Sequence, residues 1–429
     1  MNILHVSFSD LNGGAARAAY RIHSCLVEQK KNQNIISQMR VVNKISNDFS
    51  VYGNKRIFKV MNILKINSLL NKLFLLNHKP KFKGVYSPCI FKTNFLNKIN
   101  SHRKINEKFL VHLHWIGNLM SIEQIGMIKK PVVWTLHDQW PFCGAEHYTN
   151  SEFDTDTERY IKGYQPNNRP SDEKGFDINK LTWERKKKSW KTPMYIACPS
   201  QWMLDCARKS YLMKDYIMKV IPNPIDTDFW HPIDKYLSRK LINLPTDKTI
   251  IVFGAFGATN DPRKGSEILI KAIKILKEKF FMEKYSNIDL VVFGNSSKNK
   301  MIDCNFNIHY FGKINDDNKL RNLYSAADLV VVPSKKESFG QVASEAHACG
   351  TPVVSFRTSG LKDIIDHEVT GYLAEPFEPL SLAFSIKYLL EDHNRLREMS
   401  YASRERSLKL WDHKVIAKKY INLYEEALD

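Results

Sequence analysis

No stretch of the 429-residue sequence approaches the roughly 18 consecutive apolar residues that a membrane-spanning helix needs, so no such helix is expected. A secretory leader is also missing from the reading: Met1–Phe8 has no basic n-region and soon turns polar. Ile3, Leu4, Val6 and Phe8 read instead as a first buried strand, and the expected compartment is the cytoplasm. Cysteine is sparse, with seven residues (25, 89, 143, 198, 206, 304 and 349) and no CxxC pair. An odd, dispersed set argues against a disulfide framework and against a sulfur-ligated metal. Short-period repeats and low-complexity tracts are absent, which removes solenoids and fibres. What remains is 43% hydrophobic and 25% charged, the make-up of a globular chain long enough for two domains.

Acidic residues are the minority, 45 against 64 Lys and Arg, for a formal charge of +19. The imbalance is local. Residues 54–108 hold thirteen Lys or Arg and one acidic residue, Glu107, around the run Leu69–Leu76. A second cluster, Arg185, Lys186, Lys187, Lys188 and Lys191, is bracketed by Trp183 and Trp190. Basic side chains beside aliphatics and tryptophans suit an anionic membrane surface; nucleic acid and plain solvated faces are the competing readings.

Along the chain, apolar runs alternate with glycine-bearing turns and amphipathic helices, the pattern of a parallel sheet wrapped by helices. The first half predicts strands at residues 3–8, 111–115, 132–136 and 195–198, and a helix from Ala15 to about Gln29. Residues 150–180 are polar and read as a long surface excursion or lid. Pro222 and Pro224 mark a linker. Beyond it, strands are expected at 250–253, 290–293, 329–332, 352–355 and 371–373, with a helix over 265–279. The fold class is therefore α/β, two Rossmann-like doubly wound domains facing each other across a cleft, where ligands usually sit. The domains are drawn at 1–225 and 226–411, with a last helix at about 412–429 crossing back to the first.

Residues 330–354 read strand, loop, helix, glycine stop, strand. Glu337 stands at the loop mouth, Ser338 is a natural N-cap, and the free backbone N–H groups after it suit a phosphate. Glu345 lies eight residues on, about 12 Å if the span is helical, so two carboxylates flank the helix start and can accept hydrogen bonds from sugar hydroxyls. The run E-S-F-G-x4-E-A-x-A-x-G-x-P-V-V resembles the signature of family-4 retaining glycosyltransferases, which have the GT-B fold. The resemblance implies that Glu337 lies beside the donor sugar, that Glu345 binds the ribose, and that Ser338, Phe339 and Gly340 border the donor.

Three further segments bear on the same chemistry. Gly254–Gly265 is a glycine loop after a strand, which lets a ligand approach the backbone, with Arg263 and Lys264 as cations for a diphosphate. In the resembling family a Gly-Arg pair and a Lys-Gly pair neutralise the leaving diphosphate; Lys264-Gly265 matches the second, whereas Ala255 stands where the first arginine is expected, leaving Arg263 as its substitute. Gly13 and Gly14 form a turn after the first strand, and the resemblance implies that they face the donor phosphates. In Trp134-Thr135-Leu136-His137-Asp138, His137 ends a strand; the resemblance implies contact with the donor sugar. Asp138 is expected to orient that imidazole or act on the acceptor, with His114 and Trp115 as further acceptor-side candidates.

The look-alikes are transferases of bacterial surface-polysaccharide assembly. The expected function is transfer of a sugar, with retention, from a nucleotide-diphosphate sugar to a saccharide or lipid-linked saccharide. His137 and Glu337 are the catalytic pair, Lys264 and Arg263 stabilise the diphosphate, and no metal or other cofactor is expected. A GT-B sugar-nucleotide epimerase or phosphorylase is the alternative. A basic nucleic-acid-binding protein is the lower alternative, which leaves the Glu-x7-Glu run unexplained; no nucleic-acid partner is expected. The basic segment at 54–108 adds an expectation of peripheral contact with the anionic inner membrane face.

Overall fold

The computed structural model describes all residues except 30–34, 54–77, 80–84, 101–107, 118, 150–157, 172, 255–260, 281–286 and 295–305. The chain divides into two compact units, Met1–Pro224 with His413–Asp429, and Ile225–Asp412.

The first unit is built on a parallel sheet: β1 (Asn2–Ser9), β2 (Ile36–Asn43), β3 (Val51–Gly53), β4 (Phe109–Leu113), β5 (Val132–Thr135), β6 (Tyr195–Cys198) and β7 (Met218–Val220). Their order, β3-β2-β1-β4-β5-β6-β7, reverses direction at β1. Successive side chains on a strand point to opposite faces, and the apolar clusters follow that rule. Leu4, Val111, Trp134 and Ile196 pack in one layer. Ile3, Leu110, Val133 and Ala197 pack in the other, under helix α1 (Gly14–Glu28) through Ile22 and Leu26. The last helix, His413–Leu428, lies on this second layer through Ile416, Tyr420 and Tyr424. Each Val or Leu buried this way stabilises the unit by roughly 1.5–3 kcal/mol.

The second layer is not apolar throughout. By the same alternation, His5 shares the face of Ile3, His112 and His114 that of Leu110, and Thr135 that of Val133. The final helix answers two of them: Tyr424 hydroxyl to His112 Nδ1 at 2.7 Å, and Tyr420 hydroxyl to Thr135 Oγ1 at 3.0 Å.

In the second unit, β8 (Thr249–Gly254), β9 (Ile288–Phe293), β10 (Asn307–Gly312), β11 (Leu329–Val332), β12 (Val353–Phe356) and β13 (Gly371–Ala374) form a parallel sheet in the order β10-β9-β8-β11-β12-β13. Ile250, Val252 and Val330 pack under one set of helices, and Ile251, Phe253 and Val331 under the other. The two doubly wound sheets expected from the alternation are both present.

Two expectations need correction. Among the described residues of the span 150–180, the chain is anchored: it contains the helix Glu158–Lys162 and the start of α2 (Ile178–Ser189), with Tyr160, Tyr164 and Ile178 buried. Arg159 lies against Glu173 at 3.6 Å and Asp177 at 2.5 Å, so these charged side chains are held in an ion network, while Gln165, Asn167, Ser171 and Lys174 stay at the surface. The basic cluster on α2 is likewise partly internal. Lys186 is fully buried; its ammonium donates to the carbonyls of Cys143 at 3.0 Å and Gly144 at 2.7 Å, and to that of Trp140, 3.9 Å from the Trp140 ring centre. Arg185 pairs with Glu123 at 2.8 Å and donates to the carbonyls of Pro88 and Cys89. Among the described residues no helix is long and apolar enough to cross a membrane. The described cysteines are buried thiols not joined in disulfides; Cys304 and the run Leu69–Leu76 lie outside the described residues.

Candidate active site

In the second unit the candidate residues gather where β8 and β11 end. Residues 255–260 of the glycine loop lie outside the described residues. After them Asp261 caps a short 3-10 turn, Pro262–Lys264, accepting from the backbone N–H of Arg263 at 3.1 Å. The same carboxylate holds the Arg263 guanidinium at 2.5 and 3.0 Å, so Arg263 is committed to a local ion pair. Gly265 then starts helix α3 (Ser266–Ile275). It has φ +67, and a Cβ there would lie 1.9 Å from the carbonyl oxygen of Pro333, just past β11. Only glycine allows that approach, which lays the Lys264 turn against the loop carrying Glu337. The result is a 2.6 Å contact from Lys264 Nζ to Glu337 Oε1, with both side chains partly exposed. Burial raises the Glu337 pKa, but the Lys264 ammonium, the Ser334 hydroxyl and Arg263 outweigh it, so the carboxyl stays below its usual range and ionised.

The Glu337 backbone is held from the other side. Its N–H donates to Ser359 Oγ at 2.9 Å, and its carbonyl accepts from Gly360 N at 2.9 Å. The expected N-cap is corrected by this clamp. Ser338 is drawn out along Gly360, and the chain turns into helix α4 (Gln341–Ala348) only at Gly340, with φ +113 and no side-chain cap. Consequently only part of the Glu337–Glu345 interval is helical, and the spacing expected from a continuous helix does not apply. Glu345 is buried and accepts from the Tyr324 hydroxyl at 3.1 Å. Phe339, expected beside the donor, is 2% exposed and belongs to the core with Leu361 and Ile364.

In the first unit, Gly13 has φ +94 and caps α1, with Gly14 as the first helical residue. A Cβ on Gly13 would meet nothing within 4 Å, so the conformation and not crowding requires glycine there. The strand ends bring the remaining candidates together in pairs. His114 follows β4 and His137 follows β5; His114 Nδ1 and His137 Nε2 are 3.1 Å apart. Trp115 and Asp138 are the next residues along, and the Trp115 indole N–H donates to Asp138 Oδ2 at 3.0 Å. Burial pushes the His137 pKa down to about 4, against the opposing pull of Asp138, so its imidazole is neutral.

Asp138 does not hydrogen-bond to the His137 imidazole. Its carboxylate accepts from His147 Nδ1 at 2.6 Å and from the backbone N–H of Trp140 at 3.0 Å. Although burial raises its pKa, His147 and these hydrogen bonds hold it below the ordinary carboxylate range. His147 Nε2 reaches Ser87 Oγ at 2.8 Å, completing a Ser87–His147–Asp138 chain that the sequence reading missed. His5 was missed too: its Nδ1 lies 2.9 Å from His114 Nε2. The available signal was His5, His112 with His114, and His137, carried on three largely apolar strand segments that become neighbours. His5, His112 and His114 have ring nitrogens within 4.8 Å of one another, a spacing compatible with a metal, but His112 is already engaged by Tyr424 and Thr135 at 2.7 and 2.8 Å.

Residues 237–406, most of the second unit, match the family model described as Glycosyl transferases group 1. Over 225 residues the chain is 30% identical to the D-inositol 3-phosphate glycosyltransferase of Xylanimonas cellulosilytica, covering 48% of this chain and 51% of that protein. The chain thus spans about half the length of the curated relatives it matches. Solved structures match over nearly everything. Sucrose-phosphate synthase of Thermosynechococcus elongatus gives a TM-score of 0.62 at 18% identity, covering 99% of this chain and 98% of that one. Anabaena HepE in complex with UDP-glucose gives 0.62 at 15% identity, covering 99% and 100%. The second unit is therefore similar to group 1 glycosyl transferases, and the chain as a whole has the GT-B fold of two Rossmann-like parallel-sheet units.

Proposed function

We propose that this chain is a retaining glycosyltransferase of the family-4 type. It moves a sugar from a nucleotide-diphosphate sugar to a hydroxyl of a saccharide or lipid-linked saccharide in cell-surface polysaccharide synthesis. The observation that carries the reading is the Lys264–Glu337 pair, 2.6 Å apart on a loop clamped from both sides. Departure of a nucleoside diphosphate leaves negative charge on phosphate and positive charge at the sugar. A preset ammonium beside a preset carboxylate meets both, with no reorganisation at the moment of bond breaking. Lys264 has three N–H donors and gives one to Glu337, keeping two for phosphate oxygens; Glu337 retains lone pairs for sugar hydroxyls. In this reading Arg263, Ser338, Phe339, Gly340 and Glu345 of the second unit border the donor, and Gly13 and Gly14 of the first are assigned to the donor phosphates on the resemblance. His137, Trp115 and Asp138 serve the sugar and the acceptor. The glycosyltransferase names of the relatives and the UDP-glucose complex of HepE support a nucleotide-sugar donor.

The test is turnover of a panel of UDP-, GDP-, ADP- and CDP-sugars by purified protein, beside Lys264→Ala and Glu337→Ala. Each variant is expected to lose on the order of 10² in rate, the scale of one placed electrostatic donor. Wild-type rates in both variants would remove the site assignment. Cytoplasmic location with peripheral contact at an anionic inner membrane face is part of the proposal. It rests on residues 54–108, since Lys186 and Arg185 have internal partners. Salt-sensitive co-sedimentation with anionic liposomes is the expected result, and its absence would withdraw the membrane contact.

A further inference from the structure

His137 is the outer end of a string of three imidazoles that passes through the sheet's second layer. Its Nε2 meets His114 Nδ1 at 3.1 Å, and His114 Nε2 meets His5 Nδ1 at 2.9 Å. His5 and His114 are buried, whereas His137 keeps 8% of its surface exposed. His5 Nε2 ends the string with no protein partner among the described residues. Burial lowers the pKa of all three, reinforced for His5 and His114 by neighbouring histidines. His23 and His112, the other titratable rings against them, are pushed down as well. Five neutral imidazoles therefore share the region at pH 7.

A neutral imidazole has one N–H and one lone pair, so only two proton orders satisfy both His–His bonds. In the first, every proton sits on Nε2; His137 Nε2–H donates inward, and the buried Nε2–H of His5 has no acceptor. In the second, every proton sits on Nδ1; His5 donates to His114, His114 donates to His137, and His5 Nε2 keeps only a bare lone pair. Orphaned buried N–H groups are the rarer defect, so the second order prevails. We infer that His5 and His114 are positioning residues that lock His137 as its Nδ1–H tautomer, so that His137 meets a substrate oxygen as a hydrogen-bond donor and not as a base. The substrate half of this statement rests on the proposed transferase reading; the proton order does not.

The experiment is long-range proton–nitrogen correlation NMR on full-length protein labelled with nitrogen-15 histidine, without substrate, at pH 7. Expected are bare Nε2 and protonated Nδ1 on His137, His114 and His5. In His114→Phe, which removes the donor, His137 shifts toward its Nε2–H form and kcat falls roughly 10- to 100-fold, the scale for losing a partner that orients a functional imidazole, with KM changed much less. His114→Gln, whose carboxamide can donate to His137 Nε2, restores both readouts in part. An Nε2–H or doubly protonated His137 in the wild type would overturn the inference, as would nitrogen shifts of a metal-bound His5 and His114. Failure of His114→Phe to fold leaves the wild-type spectrum decisive. Absence of sugar transfer by the wild type would sink the functional proposal while leaving the tautomer result standing.

Discussion

Lys186 shows how a single residue changes meaning on folding. Its ammonium donates to three backbone carbonyls, and burial lowers its pKa to about 7, opposed by Cys143 and Glu146. Lys186→Met keeps the apolar stem and removes the donor, leaving those carbonyls unanswered. It is expected to cost about 2–5 kcal/mol, read from urea unfolding midpoints. The buried histidines make an acid-side prediction. Burial holds the pKa of His137 and His23 at about 4, against about 6.5 for an imidazole in water. The unfolded chain therefore binds more protons between those values, and stability falls as pH drops from 6.5 toward 4. Each group contributes on the order of 3 kcal/mol at full effect. Unfolding free energies at pH 7, 6, 5 and 4 should decline in that order, and a flat profile would contradict neutral burial.

At the scale of elements, the decisive contact is the one between the α3 entry and the exit of β11. Gly265→Ala places a Cβ against the Pro333 carbonyl and forces a non-glycine residue to φ +67. It is expected to destabilise by about 1–3 kcal/mol and, by displacing Lys264 from Glu337, to lower sugar transfer about tenfold or more. A variant with normal turnover would uncouple that contact from the site. This is also where sequence legibility changes. Lys264-Gly265 and Glu337 were readable as motif residues, because a glycine beside a cation after a strand has a local explanation. Their contact across 73 positions was not. The burial of the Phe339 ring was not readable because motif position does not reveal which way a ring points, and Ser338 was misread as a cap because a cap depends on the backbone clamp at Gly360.

At the scale of the molecule, the first unit is made from both ends of the chain. His413–Leu428 covers Ile3, Leu110 and Val133 and supplies Tyr420 and Tyr424 to the polar face of the sheet. Removing residues 413–429 is expected to expose that layer and unfold the first unit. The second unit has its own two apolar layers and should persist. Limited proteolysis with mass spectrometry should then recover fragments within 225–412 and none spanning the first sheet. Protection of both units would show that the final helix is dispensable.

The sequence by itself determined the alternation of strands and helices, hence two parallel sheets, and the chemical kinds of residue at their strand ends. Those follow from local periodicity and turn chemistry, which act over a few residues. Tertiary structure alone decided the partners: His147 and not His137 for Asp138, three carbonyls for Lys186, and His5 behind His114. Such pairings depend on strand order and register, which bring distant residues within hydrogen-bonding distance and set which charges lose their water.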